Sequence, residues 1–126
     1  ASTAKALDDV NDVDEDGKAV IDPLTGQQSV TKGLKTIYIE QTKRTANEKL
    51  SETDWYVTRK AEDSTTTIPS DVTTYRAAVR TKSGTIETAI NNAANLTAFI
   101  ALFDVPVDSD GEITGNAPIN DWPEDI

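Results

Sequence analysis

Residues 49–80, KLSETDWYVTRKAEDSTTTIPSDVTTYRAAVR, decide how the rest of the chain is read. From Leu50 onward they hold one of two tryptophans, two of three tyrosines and four cations, in a chain poor in all three. Ser51, Glu52, Thr53 and Asp54 interrupt a helix, and Thr53 or Asp54 is placed to cap a short turn carrying Trp55 and Tyr56. Val57, Arg59, Lys60 and Ala61 continue it for one or two helical turns, and residues 63–67 form a polar loop. Ile68, Pro69 and Ser70 mark a sharp new helix start, with Ser70 as N-cap and Asp71 in the positive first turn. On that helix Val72, Tyr75, Val79 and Lys82 share one face, while Arg76 and Arg80 share another at i, i+4. The two arginines read as a solvated face paired with acids such as Asp54, Glu62 or Asp63.

Upstream, Tyr38, Thr42, Ala46 and Leu50 recur at four-residue steps, which predicts a helix from Leu34 to about Ser51. Lys43, Arg44 and Lys49 fall in its C-terminal half, where they complement the helix dipole. Its start is open, because β-branched Thr36, Ile37 and Ile39 also suit a strand. Residues 1–32 form an acidic arm. There Asp12, Asp14 and Asp16 precede Gly17, the opening spacing of a calcium loop. Position 23, where that loop needs a bidentate Glu, is Pro23. The plainer reading is a β-hairpin turning at Asp16 and Gly17, flanked by Val13 and by residues 18–21. Asp22, Pro23 and Gly26 signal a second turn.

Downstream, Gly84 punctuates the chain. Ile86, Ile90 and Ala93 predict a third long helix over residues 85–94, and Asn95 or Thr97 caps a fourth. Leu96, Phe99, Ile100 and Phe103 form the densest apolar stripe and are expected in the core. Residues 108–113 look like a second acidic hairpin. Trp122 and Pro123 close the chain, docked on the body so that the indole leaves water. The expected fold is mainly α, a small bundle of about four helices with short acidic β-hairpin appendages at both ends. Residues 1–32 make the acidic arm and residues 33–126 the helical domain.

The 126 residues suit one small domain, with only 37% hydrophobic and 6% aromatic. A net charge of −10 repels phosphate backbones and anionic lipid, so neither nucleic acid nor a membrane is expected as partner. No apolar run approaches the ~18 residues of a spanning helix, and the start shows no signal-peptide pattern. Ala1 in place of Met suggests a removed initiator or a processed or trimmed start. Without His or Cys there is no thiolate or imidazole metal site, no cysteine nucleophile and no histidine base. Catalysis and a resident cofactor are therefore not expected, with Ca²⁺ at Asp12, Asp14 and Asp16 as the one candidate ligand.

One set of residues carries a resemblance. Leu50 with Thr53, Asp54 and Trp55, then Arg59, then Ile68 and Pro69, then Tyr75, Arg76, Val79 and Arg80, and finally Trp122 and Pro123 resemble the phage tail assembly chaperone-like family. Those are short proteins encoded among bacteriophage tail and fibre genes. The longer TDWYVTRKAE form, with Gly33, Leu34 and Lys35 leading in, is similar to versions in structural proteins of phages of marine cyanobacteria. The resemblance spans about residues 33–123, on little more than a dozen specific positions. It implies a virion component of the tail or tail fibre, assembled in host cytoplasm and acting through protein–protein contacts. Its partners would be other tail or fibre proteins, with several copies in one assembly. The alternative is a non-virion assembly chaperone released after maturation. Short family members run almost directly from the Tyr-Arg helix to the Trp-Pro tail. Here residues 82–106 intervene, enlarging the core and offering a surface for self-association. As architecture, the motif would pack Trp55 under the Tyr75 helix and set Asp54 against Arg76 or Arg80. On that reading Trp55→Ala unfolds the protein.

Overall fold

A computed structural model describes residues 6–125. The protein is mainly helical, with four α-helices and a two-stranded antiparallel sheet among the described residues, as the periodicity predicts. Two units divide between Tyr38 and Ile39.

In the first unit, β1 (Val10–Asn11) pairs antiparallel with β2 (Val30–Thr31). The chain between them folds back twice, with bridges Val13 to Ala19 and Ile21 to Gln28. Asp14 makes the first turn: its Oδ1 accepts from the N–H groups of Asp16 and Lys18, each at 2.9 Å, and Gly17 closes it at φ +79°. Asp22 organises the second turn in the same way, accepting from Leu24 N–H at 2.8 Å. These are the turn residues acting through their short carboxylates.

Helix α1 (Leu34–Ser51) then begins, so the β-branched run 36–39 is helical rather than extended. Its first N–H groups would be orphans. Leu34 and Lys35 donate instead to the carbonyls of Ala6 and Leu7, and Asp9 accepts from Gly33 N–H and the Thr36 hydroxyl. The chain crosses Gly33 so closely that a Cβ there would collide with the Leu7 carbonyl oxygen and the Asp8 backbone. The residue must be glycine for that approach.

In the second unit, α1 continues from Ile39, followed by α2 (Asp54–Glu62), α3 (Ser70–Asn92) and α4 (Leu96–Ala101). Pro69 rather than Ser70 caps α3, its carbonyl accepting from Val72 and Thr73. The expected break at Gly84 does not occur, and α3 runs straight through it. Val72, Tyr75, Val79, Ile86 and Ile90 keep one helical phase across the glycine and are all buried. A mid-helix glycine costs about 1 kcal/mol, far less than the burial of Ile86 and Ile90 stabilises.

Arg76 reaches the Leu50 carbonyl and Lys43 reaches Glu87. Moving toward the N-terminus of α1 therefore moves toward the C-terminus of α3, and the two run antiparallel. Ala46, Tyr75 and Val79 form the seam, with Leu50 and Trp122 packed on it.

Asn95 caps α4 through its carboxamide oxygen on Ala98 N–H at 2.8 Å. The stripe expected in the core splits here. Phe99 is buried, but Ile100, one 100° helical step away, and Phe103, beyond the end of α4 at Ala101, are 55% and 41% exposed. Residues 106–114 form the expected acidic hairpin, bridged at Val107 and Ile113. It repeats the first turn: Asp108 Oδ1 accepts from Asp110 and Glu112, and Gly111 sits at φ +81°. Val-Asp-x-Asp-Gly occurs at both places, from Val13 and from Val107.

Candidate interaction surface

The corner between α1 and α2 is fixed by one side chain. Arg76 Nη1 donates to the Leu50 carbonyl and to Thr53 Oγ1, each at 2.9 Å, and stands 3.0 Å from Asp54 Oδ1. Its guanidinium thus meets the negative C-terminal end of α1 and the first carboxylate of α2 together. Thr53 is buried, and its hydroxyl also donates to the Leu50 carbonyl. Asp54 therefore meets Arg76, as expected, but the Arg76 side chain is only 14% exposed and does not lie on a solvated face, because it is drawn in to the Leu50 carbonyl and Thr53. Arg80, on the same helix, is exposed and makes no ion pair among the described residues.

Trp55 does not pack beneath the Tyr75 helix. It is 53% exposed, and α2 has no buried residue. Because Asp54 turns in to Arg76, the next residue is carried outward by the 100° helical step. Trp55 stacks on Tyr56 with ring centroids 3.7 Å apart, and the Arg59 guanidinium lies 4.9 Å from the indole and 5.6 Å from the phenol ring. Arg59 has no carboxylate partner among the described residues. Val57 is 41% exposed beside them.

A nine-residue helix with no buried face is marginal on its own. This one is held at its ends. Arg76 grips its start, and at its finish Asp63 accepts from the Thr65 N–H and hydroxyl while Lys60 donates to the Ser64 carbonyl at 2.8 Å. The Thr65 hydroxyl, and then its N–H, hold the Asp63 carboxyl below its ordinary pKa.

The other motif residues are structural. Tyr75 is buried, and its hydroxyl donates to Asp125 at 3.1 Å. Burial first, and then the Asp125 carboxylate, raises its pKa. Trp122 packs on the seam, with Lys49 above its ring at 6.0 Å and paired to Asp125 at 3.4 Å. Lys82 pairs with Asp121 at 2.8 Å and is the main cause of that carboxyl's lowered pKa. Residues 117–125 are thereby strapped along α3, through the 3-10 turn Pro118–Asn120. Pro123 lines a shallow cleft with Ser70, Asp71, Thr74 and Tyr75.

Asp12, Asp14 and Asp16 do not converge. Asp12 accepts from the hydroxyls of Ser29 and Thr31, whereas Asp14 is turned into its own loop. Among the described residues no group of three or more carboxylates is placed to hold a metal ion, and no helix is long and apolar enough to cross a membrane.

Sequence reading named Asp54, Trp55, Arg59, Arg76 and Trp122 and set Tyr56 beside Trp55, but did not foresee the stack of Arg59 on both rings, for which the three-residue step from Tyr56 to Arg59 was the available signal. Lys82, Asp121 and Asp125 carried no such signal, since nothing local pairs positions 39 or 50 residues apart. No family model matches this chain, and comparison with curated proteins and with solved structures finds no match either.

Proposed function

We propose that this chain is a structural or adaptor protein of a bacteriophage tail or tail fibre, working by protein–protein contact rather than catalysis. The observation that carries the contact reading is α2: a helix anchored at its ends, with no buried residue, that displays Trp55 and Arg59 beside a half-buried Tyr56. Trp, Tyr and Arg are the residue types in which interface energy concentrates. The TDWYVTRKAE, YRAAVR and Trp-Pro resemblance supplies the tail context. The chain would be made in host cytoplasm and retained in the virion beside other tail proteins, in several copies.

Mass spectrometry of gradient-purified virions beside the infected-cell lysate tests this. The protein is expected in the particle at a fixed ratio to known tail proteins. Abundance in lysate with absence from particles would replace this reading with that of a non-virion assembly chaperone.

A further inference from the structure

The second unit carries two exposed surfaces of opposite character. One is the α2 face, where Arg59 lies over Trp55 and Tyr56 without a carboxylate partner among the described residues. The other is the hairpin arm, residues 105–113. Val107 and Ile113 oppose one another there, which places both side chains on one face. They are 56% and 72% exposed, and Val105 beside them is 45% exposed. Asp104, Asp110 and Glu112 belong to the same segment, the Asp108 carboxylate is held in its own turn, and no Lys or Arg follows Lys82 in the sequence.

We infer that the α2 face of one copy docks the acidic arm of a second copy, the Val107–Ile113 tip seating on Trp55 and Tyr56 and the arm's carboxylates meeting Arg59. The inference rests on reading α2 as a contact face, not on the phage assignment. Charge and shape choose this occupant over the matching N-terminal turn. That turn carries Lys18 where the arm carries Glu112, and Ala19 where it carries Ile113. The arm thus keeps the turn geometry while exchanging a cation for an anion and a methyl for a sec-butyl group. Because the two surfaces differ and lie on one chain, the contact is heterologous, and each copy keeps a free surface of the opposite kind.

Sedimentation velocity on the purified full chain tests it. Wild type is expected to rise above the 13.6 kDa monomer as concentration increases. Trp55→Ala and Ile113→Asp each alter exposed side chains, and each alone is expected to weaken association about tenfold or more. Mixed in equal amounts they regain a dimer, since one supplies an intact arm and the other an intact α2 face. A monomeric wild type at all concentrations overturns the inference. So does association that survives both substitutions, or a mixture no more associated than its parts. None of these outcomes bears on whether the protein is found in virions.

Discussion

Replacing Arg76 with Met keeps the aliphatic stem but removes the group that fastens α2 to α1. Two hydrogen bonds from a charged donor are lost, to the Leu50 carbonyl and to Thr53 Oγ1. Hydrogen bonds to charged groups contribute about 1.5–3 kcal/mol each. The lower end applies here, because Thr53 still bonds the Leu50 carbonyl through both its N–H and its hydroxyl, so no buried acceptor is orphaned. The Asp54 carboxylate is largely exposed, so that pair adds at most about 1 kcal/mol. The sum is about 3–4 kcal/mol. With an unfolding entropy of roughly 2.1 cal/mol/K per residue, each kcal/mol corresponds to about 4 °C at this length, and Tm falls by about 12–16 °C. Trp55→Ala behaves differently. Its exposed stack on Tyr56 contributes about 0.5–1.5 kcal/mol, and alanine's helix propensity returns about half a kcal/mol. Its Tm is expected to stay within about 5 °C of wild type. Far-UV circular dichroism follows both melts. In the Trp55→Ala background Trp122 is the sole tryptophan and reports the strap directly. If Trp55→Ala costs as much as Arg76→Met, then Trp55 belongs to the core and the outward-facing α2 is wrong.

Two further perturbations probe the rest of the chain. Gly33→Ala drives a Cβ into the backbone of Leu7 and Asp8. It should destabilise the first unit by about 1–3 kcal/mol or more, read as faster amide exchange at Leu34 and Lys35, whose N–H groups donate to Ala6 and Leu7. Unchanged exchange there would rule out the close crossing. The pH profile should fall at both ends. Asp9, held low by the Thr36 hydroxyl and Gly33 N–H, Asp12, held low by Thr31 and Ser29, and Asp121, held low by Lys82, all titrate below their ordinary 3.8. Their contribution is present above that value and is lost as pH drops through the folded-state pKa values. Tyr75 titrates above its ordinary 10.0, chiefly through burial. Its contribution is complete below 10.0 and is lost as pH climbs through the raised value. Tyr75→Phe should flatten the alkaline limb of the urea-midpoint profile, and an unaltered limb would refute the assignment.

Much of the architecture follows from the sequence by itself. The four-residue recurrence through Thr42, Ala46 and Leu50 and the stripe through Val72, Tyr75 and Val79 specify two helices with one apolar face each. Asp-x-Asp-Gly specifies the tight turns, because a short carboxylate and a glycine at positive φ satisfy such a loop without outside help. Local chemistry also exposes Trp55, Tyr56 and Arg59 to notice by their spacing. What it leaves open is direction. The same i, i+4 step describes an indole turned into the core or out to solvent, and only Arg76, arriving from a helix distant in sequence to take Asp54, settles that Trp55 faces out. The split of Phe99 from Ile100 was hidden for the same reason, since an apolar stripe records what is able to be buried and only the packed partners decide which residues are. The closing strap belongs with them: Tyr75 with Asp125 and Lys82 with Asp121 are pairs that exist because antiparallel helices create a groove, and no stretch of the chain contains that groove by itself.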